Sequence, residues 1–208
     1  MVPINVPNVL TVFRILLVPV LVVALLDATP SGDLLAAVVF AVASLTDLLD
    51  GYLARTRGAV TTFGKLMDPI ADKLLIIAPL VSLVSLHRIP AWVAMVIIAR
   101  EFAVTALRMV AAEQGVVIAA SSLGKLKTVL QVAAIFAAIA FDPTPLAVDL
   151  LLYVAVAVTI ASGADYFFGL RRRLEEARES RSSRLRSGSR TPAEASKPGP
   201  AEQSRPPG

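Results

Sequence analysis

The sequence predicts an all-α membrane protein with six transmembrane helices. First, 56% of its 208 residues are hydrophobic and only 17% are charged, whereas about a quarter of the residues in soluble proteins are charged. Second, apolar windows of about 20 residues, the length needed to cross about 30 Å of hydrocarbon, can be placed six times. Third, each pair of windows is separated by a short polar break that is typical of a turn or loop.

The six windows follow one another with little sequence between them. The predicted spans are residues 9–26, 34–55, 66–86, 91–110, 123–141 and 146–170. Proline, glycine and charged residues punctuate the breaks at 27–33, 57–58, 87–90, 113–115 and 142–145. These residue types end helices, so the sequence predicts a multi-pass bundle with short connections.

Lysine and arginine predict the orientation of the bundle. With the N-terminus in the cytoplasm, Arg88 is the basic residue of the outer connections. The inner connections carry Arg55, Arg57, Lys65, Lys125, Lys127 and the run Arg171, Arg172, Arg173. Because basic residues favour the cytoplasmic side, we expect a cell-membrane protein with both termini in the cytoplasm.

Two regions differ in composition: a transmembrane domain at residues 1–170 and a basic tail at 171–208. The tail has ten Lys or Arg against five Asp or Glu, and the rest of the chain has ten against eleven. A nucleic-acid-binding core is therefore not expected. The tail is too polar to form a core, and we expect it to be disordered beyond a short helical extension. Its arginines either contact anionic lipid headgroups or are simply solvated.

Several residues outside the polar motifs are expected to have no catalytic role. The absence of cysteine excludes disulfides, thiolate catalysis and zinc–thiolate sites. The histidine, His87, falls on the predicted outer side. The aromatic residues near span ends are expected to anchor the helices at the membrane interface. They are Trp92, Tyr153, Tyr166, Phe167 and Phe168.

Four carboxylates lie where the predicted spans would place them in or next to lipid. Asp47 and Asp50 are three residues apart, and Asp68 and Asp72 are four apart, so each pair shares one helix face. A charged side chain at the centre of a membrane helix costs about 2.5–3.5 kcal/mol. We expect the two helices, joined by a short connection, to direct all four acids into one cytoplasmic site.

Such a group of acids predicts a divalent metal site. Oxygen ligands favour magnesium, manganese or calcium over zinc, and four carboxylates suffice for two bridged ions. Gly51, Ala54 and Gly64 leave room for a bulky ligand, and Arg55 can bind a phosphate oxygen. Two alternatives remain: neighbouring Arg or Ser residues satisfy the acids, or the acids line a path for protons or ions.

The spacing of these residues resembles the signature of the CDP-alcohol phosphatidyltransferases. The pattern is Asp, two residues, Asp-Gly, two residues, Ala-Arg, eight residues, Gly, three residues, Asp, three residues, Asp. Every fixed position is met, by Asp47, Asp50, Gly51, Ala54, Arg55, Gly64, Asp68 and Asp72. The resemblance implies a six-span, homodimeric enzyme that transfers a phosphatidyl group from a CDP-linked lipid to an alcohol and releases CMP.

The resemblance also implies roles for individual residues. Asp47, Asp50 and Asp68 would hold two Mg²⁺ or Mn²⁺ ions. Asp72 would be a further ligand and the base that accepts the proton of the acceptor hydroxyl. The cytidine diphosphate of the lipid would be bound by Gly51, Arg55 and Gly64.

A second group of charged residues suggests which alcohol accepts the lipid. Arg100 and Arg108 are eight residues apart, so they are about 80° apart around a helix and can reach one cavity. Lys125 and Lys127 do not share a helix face, and both can face the site only if the segment around Gly124 is irregular. Glu101 could pair with either arginine. This excess of cations favours an acceptor with its own phosphate and disfavours serine.

With the opening segment from Asn5 to Arg14, these cations resemble the bacterial phosphatidylglycerophosphate synthase subgroup, whose acceptor is glycerol 3-phosphate. The resemblance implies that Asn8, Thr11 and Arg14 approach the nucleotide or its phosphates, and that Arg100, Arg108, Lys125 and Lys127 bind the acceptor phosphate. Alternatively, Arg14 extends to the interface and the lysines only set the orientation. The acceptor could instead be inositol phosphate or phosphatidylglycerol. Two other classes of protein also remain as alternatives: a cation transporter and an inactive membrane scaffold.

Overall fold

The computed structural model describes residues 6–57, 62–113 and 122–188, and these residues form six α-helices without a strand. The helices are α1 (Val6–Leu26), α2 (Pro30–Arg57), α3 (Thr62–Ser85), α4 (Ala91–Glu113), α5 (Ser122–Ala140) and α6 (Leu146–Gly188). The all-α prediction is confirmed. The helical extension after the last window is longer than the short one expected, because α6 runs to Gly188; the rest of the tail lies outside the described residues.

The turn between α1 and α2 is tight, and its residues explain why. Pro30 is the first residue of α2, and the Oγ1 of Thr29 accepts a hydrogen bond from the Gly32 amide at 3.0 Å. Thr29 is therefore an N-cap with proline at the favoured first position. A Cβ on Gly32 would stand 2.5 Å from the carbonyl oxygen of Ala24 in α1. Only glycine allows the two helices to approach this closely.

The C-terminus of α3 ends in a Schellman-type motif. His87 has φ of 59°, in the left-handed region that helices commonly use for their last turn. The His87 amide donates to the carbonyl of Val84 at 3.0 Å, and the Arg88 amide donates to the carbonyl of Leu83 at 2.9 Å. These bonds satisfy carbonyls that would otherwise lack partners at the helix end.

The bundle consists of two groups of three helices. Helix α1 packs on α2 and α3, while α6 packs on α4 and α5, and α2 and α3 contact α5. Alanines with almost no exposed surface, such as Ala36, Ala43 and Ala138, let the helices approach closely. The large side chains at the centre include Leu21, Leu25, Phe40, Leu83, Ile97, Ile135 and Leu152.

The outer surface of the bundle is apolar, as expected for a membrane protein. Leu16, Val23 and Leu34 expose 64%, 70% and 67% of their surface. Among the described residues, four segments are long and apolar enough to cross a membrane: Val9–Leu26, Pro30–Leu48, Ser122–Ala140 and Leu146–Arg172. Helices α3 and α4 do not meet this criterion, and both carry charged residues that the sequence assigned to the site. The membrane character is thus supported, with several spans.

Successive helices alternate in direction, which separates the bundle into two ends. The N-terminal part of α1, the C-terminal part of α2 and the N-terminal part of α3 meet at one end, which we call the carboxylate end. At the opposite end, buried Arg88 binds Asp33 through both Nη atoms, at 2.8 and 2.9 Å, and Asp142 at 2.9 Å. Arg88 thereby connects α2 to the α3–α4 and α5–α6 connections.

Candidate active site

Arg14 joins three helices at the carboxylate end. Its Nη1 lies 2.9 Å from Asp47 Oδ1 on α2 and 3.1 Å from Asp72 Oδ1 on α3, and its side chain is only 2% exposed. A side chain extended to the membrane interface would be exposed, so Arg14 does not snorkel. The guanidinium instead brings together two acids that are 25 positions apart in the sequence.

Thr11 holds the third described carboxylate. Its Oγ1 donates a hydrogen bond to Asp68 Oδ1 at 2.5 Å, and the threonine is buried. Thr11 and Arg14 are three residues apart and therefore share one face of α1. This single face thus contacts Asp47, Asp68 and Asp72, so the two acid-bearing helices bring these three carboxylates together.

The other residues predicted to bind the metal ions or the nucleotide have side chains outside the described residues. Asn8, Asp50, Gly51, Arg55 and Gly64 lie within helices, but their side-chain surroundings fall outside the described residues. Their roles remain predictions.

The carboxylate end fits a divalent cation in its chemistry. Within the described ranges, no three acidic or histidine side chains are arranged to enclose a metal ion. Arg14 lies between two of the three acids, and the side chain of Asp50 lies outside the described residues. The donors are nevertheless all oxygens, and the three carboxylates outnumber the guanidinium that contacts them. An excess of carboxylates suits a hard cation such as Mg²⁺.

A second polar cluster joins α4, α5 and α6. Buried Lys127 forms an ion pair with Glu101. Arg100 Nη1 lies 3.7 Å from the same Glu101 oxygen, and Arg100 Nη2 donates to Ser162 Oγ at 2.8 Å. Gly163 gives the stem of Arg100 room, because a Cβ there would stand 3.3 Å from Arg100 Cγ. Glu101 therefore pairs with Lys127 as well as with Arg100.

Arg108 extends this cluster along α4, whereas Lys125 points away from it. The guanidinium carbon of Arg108 lies 5.8 Å from the ring centroid of Tyr166, a typical cation–π distance. The charges of Arg100, Arg108 and Lys127 are close enough to act on one another. Because α5 is a regular helix here, Lys127 is buried and Lys125 is exposed. The two lysines could both face the site only if the segment around Gly124 were irregular, and α5 is helical from Ser122, so only Lys127 does so.

Tyr166 is the aromatic residue for which the interfacial prediction was wrong. It is only 8% exposed, while its neighbours Phe167 and Phe168 are 51% and 66% exposed. Position near a span end suggested an anchor, but the face of α6 that carries Tyr166 packs against α4. Ser162, one turn earlier, binds Arg100. Sequence reasoning missed both residues, and their four-residue spacing on α6 is the signal that could have paired them.

Buried hydrogen bonds between α5 and α6 support this second polar cluster. Gln131 Nε2 on α5 donates to Thr159 Oγ1 at 3.0 Å, and Ser162 Oγ donates to the Thr159 carbonyl at 3.1 Å. These residues are almost fully buried, and polar groups at such sites need partners. These hydrogen bonds therefore fix the side chain of Ser162, which in turn positions Arg100.

Comparison with known proteins agrees with the signature. The CDP-alcohol phosphatidyltransferase family model matches residues 4–161. A CDP-diacylglycerol–glycerol-3-phosphate 3-phosphatidyltransferase of Bacillus subtilis is 44% identical over 180 residues, covering 78% of this chain and 93% of the relative. The enzyme of the same name in Rickettsia bellii is 37% identical over 169 residues, with the same coverage. A probable phosphatidylglycerophosphate synthase of Mycobacterium tuberculosis is 40% identical over 167 residues, covering 78% and 79%.

Proposed function

The chain belongs to the CDP-alcohol phosphatidyltransferase family, and from this premise we propose that it makes phosphatidylglycerophosphate and CMP from CDP-diacylglycerol and glycerol 3-phosphate. Membership makes it a membrane-bound transferase of phospholipid biosynthesis. The observation that carries the substrate proposal is the presence of two oppositely charged clusters: the carboxylates of α2 and α3, which face α1, and the cations of α4 and α5.

The carboxylate cluster supports the donor half of the reaction. Asp47, Asp68 and Asp72 converge on the face of α1 that carries Thr11 and Arg14. Two Mg²⁺ or Mn²⁺ ions would be held by these three acids and Asp50. Bound there, such ions would neutralise the diphosphate and the charge that develops as CMP departs. Gly51, Arg55 and Gly64, together with Asn8, complete the proposed nucleotide site.

Residues of the protein can accept the proton of the acceptor hydroxyl and orient the attack. The hydroxyl oxygen of the acceptor attacks the lipid-side phosphorus of CDP-diacylglycerol and forms a new P–O bond. The bond from that phosphorus to the bridging oxygen breaks, and CMP leaves with that oxygen. Asp72, whose side chain is 51% exposed, accepts the hydroxyl proton. Thr11 and Arg14 orient the acids during this step.

The cation cluster supports an acceptor with a phosphate group. Arg100 and Lys127 share the single carboxylate of Glu101, and the positive charge of Arg108 acts on both of them. A phosphate dianion would relieve their repulsion and accept charge-assisted hydrogen bonds. The printed names of the relatives from Bacillus subtilis and Rickettsia bellii include glycerol 3-phosphate. Lys125 is exposed, so it would meet the acceptor on entry and not within the cluster.

The proposal includes an arrangement in the membrane. All six helices span the cell membrane, both termini lie in the cytoplasm, and the carboxylate end opens toward soluble glycerol 3-phosphate. The lipid donor reaches this end from within the bilayer, and two chains associate as a homodimer. Basic residues on the inner connections support this orientation.

Purified protein tests the proposal directly. CMP release is measured with CDP-diacylglycerol, Mg²⁺ and one acceptor at a time: glycerol 3-phosphate, inositol phosphate, phosphatidylglycerol or serine. We expect release with glycerol 3-phosphate and its loss when a chelator removes the metal. Release only with another acceptor would overturn the choice of glycerol 3-phosphate. Ion flux in liposomes without any cytidine-nucleotide turnover would indicate a transporter.

A further inference from the structure

Tyr166 is a buried polar residue that the proposed reaction does not yet use. Its exposed fraction is 8%, and it packs with Val104, Ala111 and Leu170. Its hydroxyl is buried, and no described residue forms a hydrogen bond with it. Buried hydroxyls in folded proteins nearly always have a partner, so an unpartnered one beside a site points to a ligand.

The ring of Tyr166 contacts the cation that lies farthest along α4. The guanidinium carbon of Arg108 is 5.8 Å from the ring centroid, and the like charges of Arg100 and Lys127 act on the same arginine. Arg108 itself is exposed, so the cation–π contact with the ring is what orients its guanidinium beside the other two cations.

One turn before Tyr166, helix α6 supports another cation of α4. Ser162 accepts a hydrogen bond from Arg100, and Tyr166, four residues later on the same face, contacts Arg108. One face of α6 thus supports two cations of α4 at successive levels. Ser162 is fully partnered through its own bond to the Thr159 carbonyl, whereas the Tyr166 hydroxyl still has a proton to donate.

We propose that Tyr166 is a binding residue of the acceptor site, where its hydroxyl donates a hydrogen bond to the acceptor's phosphate and its ring orients Arg108 toward the same phosphate. This inference rests on the proposed function and deepens it. Tyr166 thereby favours phosphorylated alcohols over their unphosphorylated counterparts, because only a phosphate can use the buried donor and the arginine together.

The test replaces Tyr166 by phenylalanine, which removes one oxygen and keeps the ring. We expect Tyr166→Phe to raise KM for glycerol 3-phosphate about ten- to a hundredfold, the value of a hydrogen bond to a charged group. KM for CDP-diacylglycerol should change less than about twofold, because that site lies on α1–α3. The thermal transition without substrate should not fall, since the lost hydroxyl has no partner among the described residues.

Tyr153→Phe is the matched control. It removes the same atom from the same helix, but Tyr153 is 45% exposed and stacks on Trp92 away from the cations. Both KM values should remain as in the parent protein.

The outcomes separate this inference from the proposed function. If the parent uses glycerol 3-phosphate and Tyr166→Phe has the same KM for it, the role of Tyr166 is overturned and the function stands. If the parent neither releases CMP with glycerol 3-phosphate nor shows a thermal shift with it, both are overturned. Both are supported if Tyr166→Phe raises only the KM for glycerol 3-phosphate and if glycerol 3-phosphate raises the thermal transition of the variant less than that of the parent.

Discussion

Arg14 is the residue on which the geometry of the carboxylate end most depends. Its nearly buried guanidinium contacts Asp47 and Asp72, and each of these acids sits on a different helix. The charge of Arg14 offsets the repulsion between the acids, as a bound cation would. The position of one side chain therefore couples the assembly of α1, α2 and α3 to the chemistry proposed for the site.

Replacing Arg14 by methionine tests this coupling. We expect the free energy of unfolding to fall by up to about 3 kcal/mol, the lower end of the range for breaking a buried ion pair, because Asp47 and Asp72 are partly exposed. Added Mg²⁺ should stabilise the variant more than the parent protein. Denaturant unfolding in detergent, with and without Mg²⁺, measures both effects.

The matched control for Arg14 is Arg171→Met. Arg171 pairs with Glu175 on an exposed stretch of α6, where an ion pair contributes about 0–1 kcal/mol. Equal losses in the two variants, or no added effect of Mg²⁺ in Arg14→Met, would contradict a central role for Arg14.

Asp72 and the other acids should differ in how they affect metal binding. Asp72→Asn is expected to reduce transfer at least about a hundredfold by removing the base. It should retain more Mn²⁺ binding than Asp47→Asn or Asp68→Asn, because Asp72 combines the role of ligand with that of base. Activity assays and Mn²⁺ titration, with thermal transitions to confirm folding, make the comparison. Equal loss of metal in all three would leave Asp72 as a ligand only.

At the level of helices, close approach decides what each element can contribute. The α1–α2 turn depends on Gly32, because any side chain there meets the backbone of α1. This turn also sets how α1 lies along α2, and so where Thr11 and Arg14 meet the carboxylates. On α6, Gly163 allows the stem of Arg100 to pass, and the regular geometry of α5 decides that Lys127 alone of its two lysines is buried.

Two glycine substitutions test the α1–α2 contact. Gly32→Ala should destabilise the protein by about 1–3 kcal/mol, since its Cβ would stand 2.5 Å from the Ala24 carbonyl oxygen. Gly169→Ala, in α6, meets no atom within 4 Å and should stabilise by about 0.5–1 kcal/mol through helix propensity. Unfolding of both variants in the same detergent provides the measurement. A neutral Gly32→Ala would show that the two helices can separate freely.

For the whole molecule, the two ends of the bundle have different tasks. The carboxylate end collects charged groups whose balance a substrate or metal can change. The opposite end has a buried and fully paired arginine, Arg88, which ties Asp33 and Asp142 together. The ion pairs of Arg88 can stabilise the bundle without taking part in catalysis.

Arg88→Met tests this separation of tasks. We expect a loss of about 3–5 kcal/mol in unfolding free energy, because two carboxylates lose their buried partner. Asp142→Asn should cost less, since Asp33 still pairs with Arg88. Below the thermal transition, both variants should keep the KM values of the parent for both substrates. A changed KM would mean that the far end influences the site.

Sequence by itself determined the class of protein and the positions of its six helices, and it predicted which acids lie on one helix face. Apolar length and residue spacing report what lies along one helix, so they could place Asp47 beside Asp50 and Asp68 beside Asp72. They could also identify Arg100 and Arg108 as cations able to act together. These features are local, so they can be predicted without knowing how neighbouring helices pack.

Only the tertiary structure decided which side chains meet across helices. The pairing of Arg14 with Asp47 and Asp72, and of Tyr166 with Arg108, joins residues that are far apart in the chain. Which face of α6 is buried depends on how α4 packs against it, and no pattern within α6 reports that packing. For this reason the sequence placed Tyr166 at the membrane interface, whereas packing against α4 buries it beside the cations.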